Sequence, residues 1–262
     1  MTKNLTPGLY NLPVIKNTPI SYNTYLMELE APDLAPHIKP GQFAMVYTSN
    51  PATLLPRPIS IADASDTTIT FVYQVVGSGT TEMTRLQQGN TAKILAPLGK
   101  GFFLKGGETK IRSQQNKVAI VGGGIGIAPL LLLAKKLKAQ GSIVEGYFGF
   151  RDTPIMQDLF EPLLDRIYIA TEVGHTGHRG NVVDILYALN PTYDEVLACG
   201  PKPMLDALHI YTATKFIPTQ VSMEERMACG LGTCVGCALK VAGTNIRICT
   251  EGPVFYSDQL TQ

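Results

Sequence analysis

The pattern of hydrophobic and polar positions changes near residue 101 of the chain. Before that point, short runs of apolar and β-branched residues recur between prolines and glycines. Many short strands at near-regular spacing predict a β-sandwich or an antiparallel β-barrel. One helix is predicted at Thr80–Gln87, and the predicted strands are Leu9–Ile15, Thr24–Leu29, Phe43–Tyr47, Ile59–Ala62, Ile69–Val76 and Thr91–Ala96.

From Lys117 onwards, apolar runs alternate with segments of helical periodicity. Val118–Val121 is continuously apolar, which is typical of a strand buried on both faces. The next segment has its apolar residues at helical spacing, at Leu130, Leu133, Ala134 and Leu137. Alternating strands and helices predict a parallel α/β sheet. The further predicted strands are Ser142–Phe150, Ile167–Thr171 and Glu195–Ala198, and the further helices are Pro154–Leu164, Asn181–Leu189 and Pro203–Thr214.

Composition agrees with a globular protein and excludes two kinds of partner. Hydrophobic residues make up 45% of the chain and charged residues 16%, which is enough for a substantial core. A net charge of +1 offers no electrostatic basis for binding nucleic acid. The longest apolar run, Ile127–Ala134, is too short to span a bilayer, and the first residues lack an apolar signal segment. We therefore expect a cytoplasmic protein with no membrane partner.

Four of the five cysteines lie close together near the C-terminal end. They follow the spacing C-x4-C-x2-C and then a fourth cysteine, which is the plant-type spacing for a [2Fe–2S] cluster: Cys229, Cys234, Cys237 and Cys249. The glycines between them allow positive φ and bring backbone N–H groups close to the sulfurs. A structural zinc site is an alternative, although it usually has two short ligand pairs. Disulfides are another, and they need an oxidising compartment.

Two stretches of the β-rich half have side chains suited to binding an anion. In Arg57-Pro58-Ile59-Ser60, the planar guanidinium suits a phosphate and the serine hydroxyl is a hydrogen-bonding group. A surface arginine before an edge strand is the simpler interpretation. In Val75–Thr81, a strand runs into Gly-Ser-Gly-Thr before a helix, an arrangement whose backbone N–H groups can hold an anion.

Two strand-to-helix turns of the α/β half are candidates for a nucleotide site. The first is glycine-rich and contains Gly122, Gly123, Gly124 and Gly126. It does not follow G-x-G-x-x-G, because Ile127 stands where the last glycine is required. The second is Cys199-Gly200-Pro201. Both turns follow strands at their carboxyl ends, where open α/β sheets bind ligands. A generic turn and a buried cysteine are the alternatives.

In their order and separation, these motifs resemble the ferredoxin–NADP reductase superfamily. Arg57–Ser60 is similar to its R-x-Y/F-S flavin motif, with Ile59 in place of the aromatic residue. Gly122–Pro129 is similar to its pyridine-nucleotide loop, and Cys199–Pro201 to its C-G-P motif. With the C-terminal cysteines, the chain resembles the electron-transfer subunits of type B dihydroorotate dehydrogenases within this superfamily.

The resemblance implies three domains and three redox groups. These are an FAD-binding β-barrel at 1–101, an NAD-binding α/β domain at 102–215 and a [2Fe–2S] domain at 216–262. It places Cys199 near the nicotinamide and the glycine turn on the NAD pyrophosphate. The FAD contacts that it implies are Arg57, Pro58, Ile59, Ser60, Tyr73, Gln74, Val75, Gly79, Thr80 and Thr81. A flavin is needed because NAD exchanges two electrons and the cluster one.

The resemblance also implies a partner, because no site for dihydroorotate is visible in this chain. The expected partner is an FMN-containing dihydroorotate dehydrogenase catalytic subunit, in a heterotetramer with two copies of each chain. The complex would pass electrons from dihydroorotate to NAD+ in pyrimidine biosynthesis. Alternatives are a reductase subunit of an oxygenase, hydrogenase or sulfide dehydrogenase, and a zinc-containing nucleotide-binding regulator.

Overall fold

The computed structural model describes residues 5–50, 52–104 and 116–260. Its two compact units each combine two stretches of the chain. Unit 1 comprises the described residues of Met1–Gly101 and Glu224–Pro253. Unit 2 comprises those of Phe102–Met223 and Val254–Gln262. In the described part of the chain, no helix has the length and apolar character needed to cross a bilayer.

Unit 1 is built on a closed barrel of six strands, in which all neighbours are antiparallel. The order around the barrel is β1-β2-β5-β4-β3-β6, which confirms the predicted β-barrel. Alternate side chains point inward, and the cross-strand pairs Met27–Phe71 and Leu29–Ile69 are fully buried. The strands are β1 (Gly8–Ser21), β2 (Thr24–Glu30), β3 (Phe43–Tyr47), β4 (Arg57–Ala64), β5 (Thr68–Gln74) and β6 (Thr91–Leu98).

One short α-helix, α1 (Ser78–Met83), follows β5. It begins two residues before the predicted helix and ends four residues earlier. Thr84–Leu86 continues it only as turns, with backbone bonds from Arg85 to Glu82 and from Leu86 to Met83. A helix this short has only marginal stability unless tertiary contacts support it.

Unit 2 contains a seven-stranded sheet in the order β10-β9-β8-β7-β11-β12-β15. All neighbours are parallel except β12 and β15, so the predicted parallel α/β sheet is confirmed. The strands are β7 (Lys117–Gly123), β8 (Ile143–Phe150), β9 (Arg166–Thr171), β10 (His178–Arg179), β11 (Glu195–Cys199), β12 (Thr219–Ser222) and β15 (Val254–Tyr256).

Helices cover this sheet through apolar faces. The four residues predicted to share one face of α2 are all buried, and Asn181 caps α4 by accepting a hydrogen bond from the N–H of Val183 at 3.0 Å. The predicted helix Pro154–Leu164 is much shorter, because Met156 takes a left-handed conformation (φ 58°). The helices are α2 (Leu130–Ala139), α3 (Gln157–Phe160), α4 (Val182–Leu189) and α5 (Lys202–Thr214).

The cysteine-rich segment belongs to unit 1, although it follows unit 2 in the chain. It contains the hairpin β13 (Ala238–Val241) and β14 (Thr244–Arg247), followed by α6 (Ile248–Glu251). The chain then returns to unit 2, where β15 pairs with β12 in the register Val221–Phe255. These short elements carry no clear periodicity, and the sequence did not predict them.

A buried glutamine ties the first residues of unit 2 to its sheet. Gln220 on β12 is fully buried, and its side chain accepts from the N–H of Phe103 (2.8 Å) and donates to the carbonyl of Phe103 (2.9 Å). The same amide donates to the buried Glu195 on β11 at 2.8 Å. Phe103 also stacks on Tyr256 with ring centroids 6.2 Å apart.

Replacing this amide is expected to destabilise unit 2. Gln220→Leu keeps the volume but removes three hydrogen bonds and leaves buried polar groups without them, which should lower the free energy of unfolding by about 2–4 kcal/mol. Chemical denaturation followed by circular dichroism measures the loss. The same change at the exposed Gln140 is the control, with an expected effect within about 0.5 kcal/mol. Equal effects at both positions would contradict the role given to Gln220.

Candidate cofactor and metal sites

The structure brings the two anion-binding candidates of the barrel together. Arg57 opens β4 and Gly79 lies in the first turn of α1, 22 positions later. The guanidinium lies so close to Gly79 that a Cβ there would stand 2.0 Å from its Nε atom. The same guanidinium donates a hydrogen bond to the carbonyl of Leu55. Glycine at position 79 therefore makes room for the arginine.

Threonine hydroxyls hold the turn before α1. Thr80 Oγ1 accepts from the N–H groups of Val76 (3.0 Å) and Gly77 (3.2 Å), and Thr81 Oγ1 donates to the carbonyl of Gly77 at 3.0 Å. Thr80 is buried and Thr81 is exposed. These bonds fix the backbone of the turn within Val75–Thr81, which the sequence pattern predicts to be an anion site.

The remaining flavin candidates lie on β4 and at the end of β5. Pro58, Ile59 and Ser60 are half-buried and pair with Met45, Ala44 and Phe43 of β3. Gln74 is exposed and Val75 is half-buried.

Tyr73 points into the protein, with 2% of its surface exposed. Burial, partly offset by a hydrogen bond to Asn17, raises the pKa of Tyr73 to about 12. The side chain of Tyr73 is thus turned away from solvent, and its predicted contact with the flavin stays a prediction.

The two predicted nucleotide turns are neighbours in unit 2. They follow the parallel strands β7 and β11, with Gly122 in register with Cys199. The strand order reverses between these strands, because β8 to β10 lie on one side and β12 and β15 on the other. Such a switch point leaves a crevice at the carboxyl ends of the strands.

Packing between the two turns explains most of their glycines. A Cβ on Gly126 would stand 2.7 Å from the carbonyl oxygen of Cys199, and one on Gly123 would stand 2.7 Å from Cδ of Pro201. Gly124 differs, because its φ is +54° and no atom lies within 4 Å of its Cβ position. Cys199 is buried, with 1% exposure. Gly123 and Gly126 therefore allow the two turns to pack together, and Gly124 faces open space.

The cysteine loop rests on the barrel through another glycine. Gly230 has φ +72°, and a Cβ there would stand 2.7 Å from Cγ of Met45 and 3.0 Å from Cδ1 of Leu98. The β13–β14 hairpin pairs Ala238 with Arg247 and so returns the chain towards Cys237. The N–H of Ile248 then donates to the carbonyl of Cys237 at 3.2 Å. The hairpin thus places Cys249 close to the other three cysteines.

The four thiols are neighbours: Cys229 interacts with Cys234, and Cys249 interacts with Cys237 and with Cys229. Cys237 and Cys249 are buried, Cys229 is half-buried and Cys234 is exposed. Burial, reinforced by the hydrogen bond and charge of Cys237, raises the pKa of Cys249 to about 12. Burial also raises the pKa of Cys229, but hydrogen bonds from Thr233 and from the backbone of Cys234 and Leu231 outweigh it and lower the value to about 6.

This arrangement fits an iron–sulfur cluster better than the alternatives. All five cysteines are free thiols. Within the described residues, no three histidine, cysteine or acidic side chains stand together as they would around one metal ion. Four neighbouring thiols suit a centre with two irons, each of which takes two sulfur ligands from the protein. Adjacent buried thiols ionise together only with positive charge between them, which iron supplies.

Two residues near these sites escaped the sequence analysis. Arg247 Nη1 donates to the carbonyl of Gly232 at 3.2 Å and so ties the cysteine loop to the hairpin. Asn17 on β1 bonds both to Tyr73 and to the end of α1. Neither residue belongs to a motif. The only sequence signal for Arg247 is that it is a basic residue two positions before Cys249.

Comparison with known proteins gives close relatives along nearly the whole chain. A protein of Caldanaerobacter subterraneus subsp. tengcongensis is 38% identical over 251 residues, which cover 94% of this chain and 96% of the relative. A protein of Clostridium acetobutylicum is 40% identical over 223 residues, covering 85% of this chain and 86% of the relative. Both are described as dihydroorotate dehydrogenase B (NAD(+)), electron transfer subunit.

A domain family and a solved structure agree with these relatives. Residues 224–261 match the family model described as the iron–sulfur cluster binding domain of dihydroorotate dehydrogenase B. The structure of an NADH-dependent reduced ferredoxin-NADP oxidoreductase superposes with a TM-score of 0.84 and 26% identity, covering 97% of this chain and 91% of that one. The chain therefore belongs to the family of dihydroorotate dehydrogenase B electron transfer subunits.

Proposed function

We propose that this chain is the electron transfer subunit of a dihydroorotate dehydrogenase of type B. It passes electrons between a catalytic partner subunit and NAD+ through a [2Fe–2S] cluster and FAD. The observation that carries this proposal is that the β13–β14 hairpin brings Cys249 back to Cys237 within residues 224–261, the stretch that matches the family's cluster-binding domain. The barrel and the parallel sheet supply separate places for the flavin and the pyridine nucleotide.

Arg57 and the turn before α1 would hold FAD. The guanidinium over Gly79 is a planar, permanently charged donor and suits the pyrophosphate. Thr80 and Thr81 keep the turn in shape, while Pro58, Ile59 and Ser60 on β4, with Gln74 and Val75, would flank the ring system. When bound, FAD exchanges electrons with both a two-electron donor and a one-electron acceptor.

The β7–β11 crevice would hold NAD. Gly124 is the residue of the glycine turn with open space above it, so its backbone is accessible to a pyrophosphate. Gly123 and Gly126 keep the two turns close together, and Gly122 makes room for Ile127, which precedes α2. Cys199 would act near the nicotinamide, although its side chain is almost completely buried.

The cysteine loop would be the surface at which the chain exchanges electrons with its partner. Cys234 is exposed, and it is flanked by two exposed apolar side chains, Leu231 (50%) and Val235 (62%). Exposed apolar residues beside a redox group are typical of a protein-binding surface. The partner would be an FMN-containing catalytic subunit that oxidises dihydroorotate for pyrimidine biosynthesis, in a heterotetramer with two copies of each chain.

Alanine substitutions test the cluster ligands. Replacement of Cys229, Cys234, Cys237 or Cys249 by alanine, one at a time, should remove most of the iron and acid-labile sulfide, because one iron loses one of its two thiolates and alanine, unlike serine, offers no replacement ligand. Iron and sulfide analysis of the purified chain measures this. Cys199→Ala is the control and should retain the full cluster. A ligand assignment fails for any cysteine whose alanine variant keeps iron and sulfide.

Two alanine variants separate the nucleotide role of Gly124 from backbone strain. Gly124 and Gly141 both have positive φ and open space at the Cβ position, so alanine should cost about 1–2 kcal/mol of strain at each. Gly141 lies at the other end of the unit, after α2. We expect Gly124→Ala to raise the KM for NADH by about five- to thirtyfold and Gly141→Ala to leave it unchanged. Steady-state kinetics with an artificial acceptor measure this, and equal KM values in the two variants would argue against a pyrophosphate at Gly124.

Activity of the isolated chain tests the division of labour. Purified alone, the chain should reduce artificial acceptors with NADH but should not oxidise dihydroorotate, because no described group offers a dihydroorotate site. Co-purification from the native host should bring down a chain that contains FMN and restores dihydroorotate-dependent reduction of NAD+. Turnover of dihydroorotate by the isolated chain, or a co-purifying oxygenase or hydrogenase, would refute the assignment.

A further inference from the structure

A single side chain joins three elements of unit 1. Asn17 lies in the middle of β1, and its amide nitrogen donates to the carbonyl of Met83 (2.8 Å), the last residue of α1, and to that of Leu86 (2.9 Å), shortly after the helix. Its amide oxygen accepts from the hydroxyl of Tyr73 on β5 at 3.1 Å. One carboxamide thus connects two barrel strands to the helix that carries Gly79 and Thr80.

The partners of the amide fix its orientation. The carbonyls of Met83 and Leu86 can only accept, so the amide nitrogen must face them and the amide oxygen faces Tyr73. The ring of Tyr73 is almost completely buried and stacks on Tyr25 with centroids 5.8 Å apart, so its hydroxyl has a fixed position. Burial raises the pKa of Tyr73 to about 12, and the protonated hydroxyl donates to the amide oxygen and holds it in place.

The helix depends on such an anchor. With six residues, α1 is too short to be stable in isolation. The carbonyl of Met83, which ends α1, accepts a turn bond from the N–H of Leu86 and a second bond from Asn17, so the side chain ties this end of the helix to the barrel. The opposite end of the helix bears Gly79, against which the Arg57 guanidinium lies.

We propose that Asn17, held in place by Tyr73, is a positioning residue for FAD: it fixes α1 and thereby places Gly79 and Thr80 beside Arg57, where the pyrophosphate binds. This inference rests on the proposed function, because it takes the flavin site as given. In this proposal the inward-pointing Tyr73 affects flavin binding indirectly, because it holds Asn17 and Asn17 holds α1, and no contact between Tyr73 and the flavin is needed.

The test compares flavins with and without the pyrophosphate. The full chain is freed of flavin with its cluster retained, and FAD or riboflavin is titrated while flavin fluorescence is followed. Asn17→Ala should weaken FAD binding by about tenfold or more, and Tyr73→Phe by about three- to tenfold, since each loses hydrogen bonds that hold the helix. Asn17→Asp, which keeps the shape but turns an acceptor towards two carbonyls, should weaken FAD binding at least as much as alanine. Riboflavin has no phosphate, so its affinity should stay within twofold.

Two controls distinguish a specific loss of FAD binding from a general loss of folding. Asn11→Ala changes an exposed asparagine on the same strand and should leave both affinities unchanged. Iron content reports the integrity of unit 1, because the cluster cysteines belong to it. Unchanged FAD affinity in iron-replete Asn17 variants, or an equal loss for FAD and riboflavin, would overturn the proposal. If the Asn17 variants lose iron, Tyr73→Phe decides by the same criteria. Failure of the wild-type chain to bind FAD would instead refute the proposed function.

Discussion

Close approach of the backbone, at positions where no side chain fits, shapes all three candidate sites. Gly79 lies under the Arg57 guanidinium, Gly126 lies against the carbonyl of Cys199, and Gly230 lies against Met45. In each case a Cβ would stand 2.7 Å or less from the neighbouring atom. The groups proposed to bind phosphates or iron are therefore held by packing, and little local motion is needed to assemble them.

This packing also explains how one short chain can provide three candidate sites. The proposed flavin site is built on a barrel and one short helix, and the proposed nucleotide site on the switch point of a parallel sheet. The thiols are held by a loop and a hairpin. Each site draws its residues from elements of a single unit, so each can form where its own core is formed. The redox chemistry belongs to the bound groups, and the chain supplies their position and surroundings.

Much of this organisation could be predicted from the sequence. Alternation and apolar runs predicted the barrel and the sheet, because burial imposes those patterns directly. The spacing of the cysteines predicted the cluster, since three ligands come from one loop. The pattern did not reveal which way Tyr73 points, because an aromatic residue suits either face of a strand. Nor did it reveal Asn17 or Arg247, because a lone polar residue is ordinary on a surface and its role depends on contacts distant in sequence.

The path of the chain after the last cysteine has a consequence for how the protein is made. Strand β15, which completes the edge of the unit 2 sheet, is synthesised after all four cysteines. Until it arrives, β12 is an open edge that presents unpaired backbone groups to other chains. A chain that ends between Met223 and Cys249 would lack at least one of the four cysteines and would keep that open edge, and a chain that ends between Cys249 and β15 would keep the cysteines but still have the open edge. Premature termination therefore yields an aggregation-prone product rather than a working reductase that merely lacks its cluster.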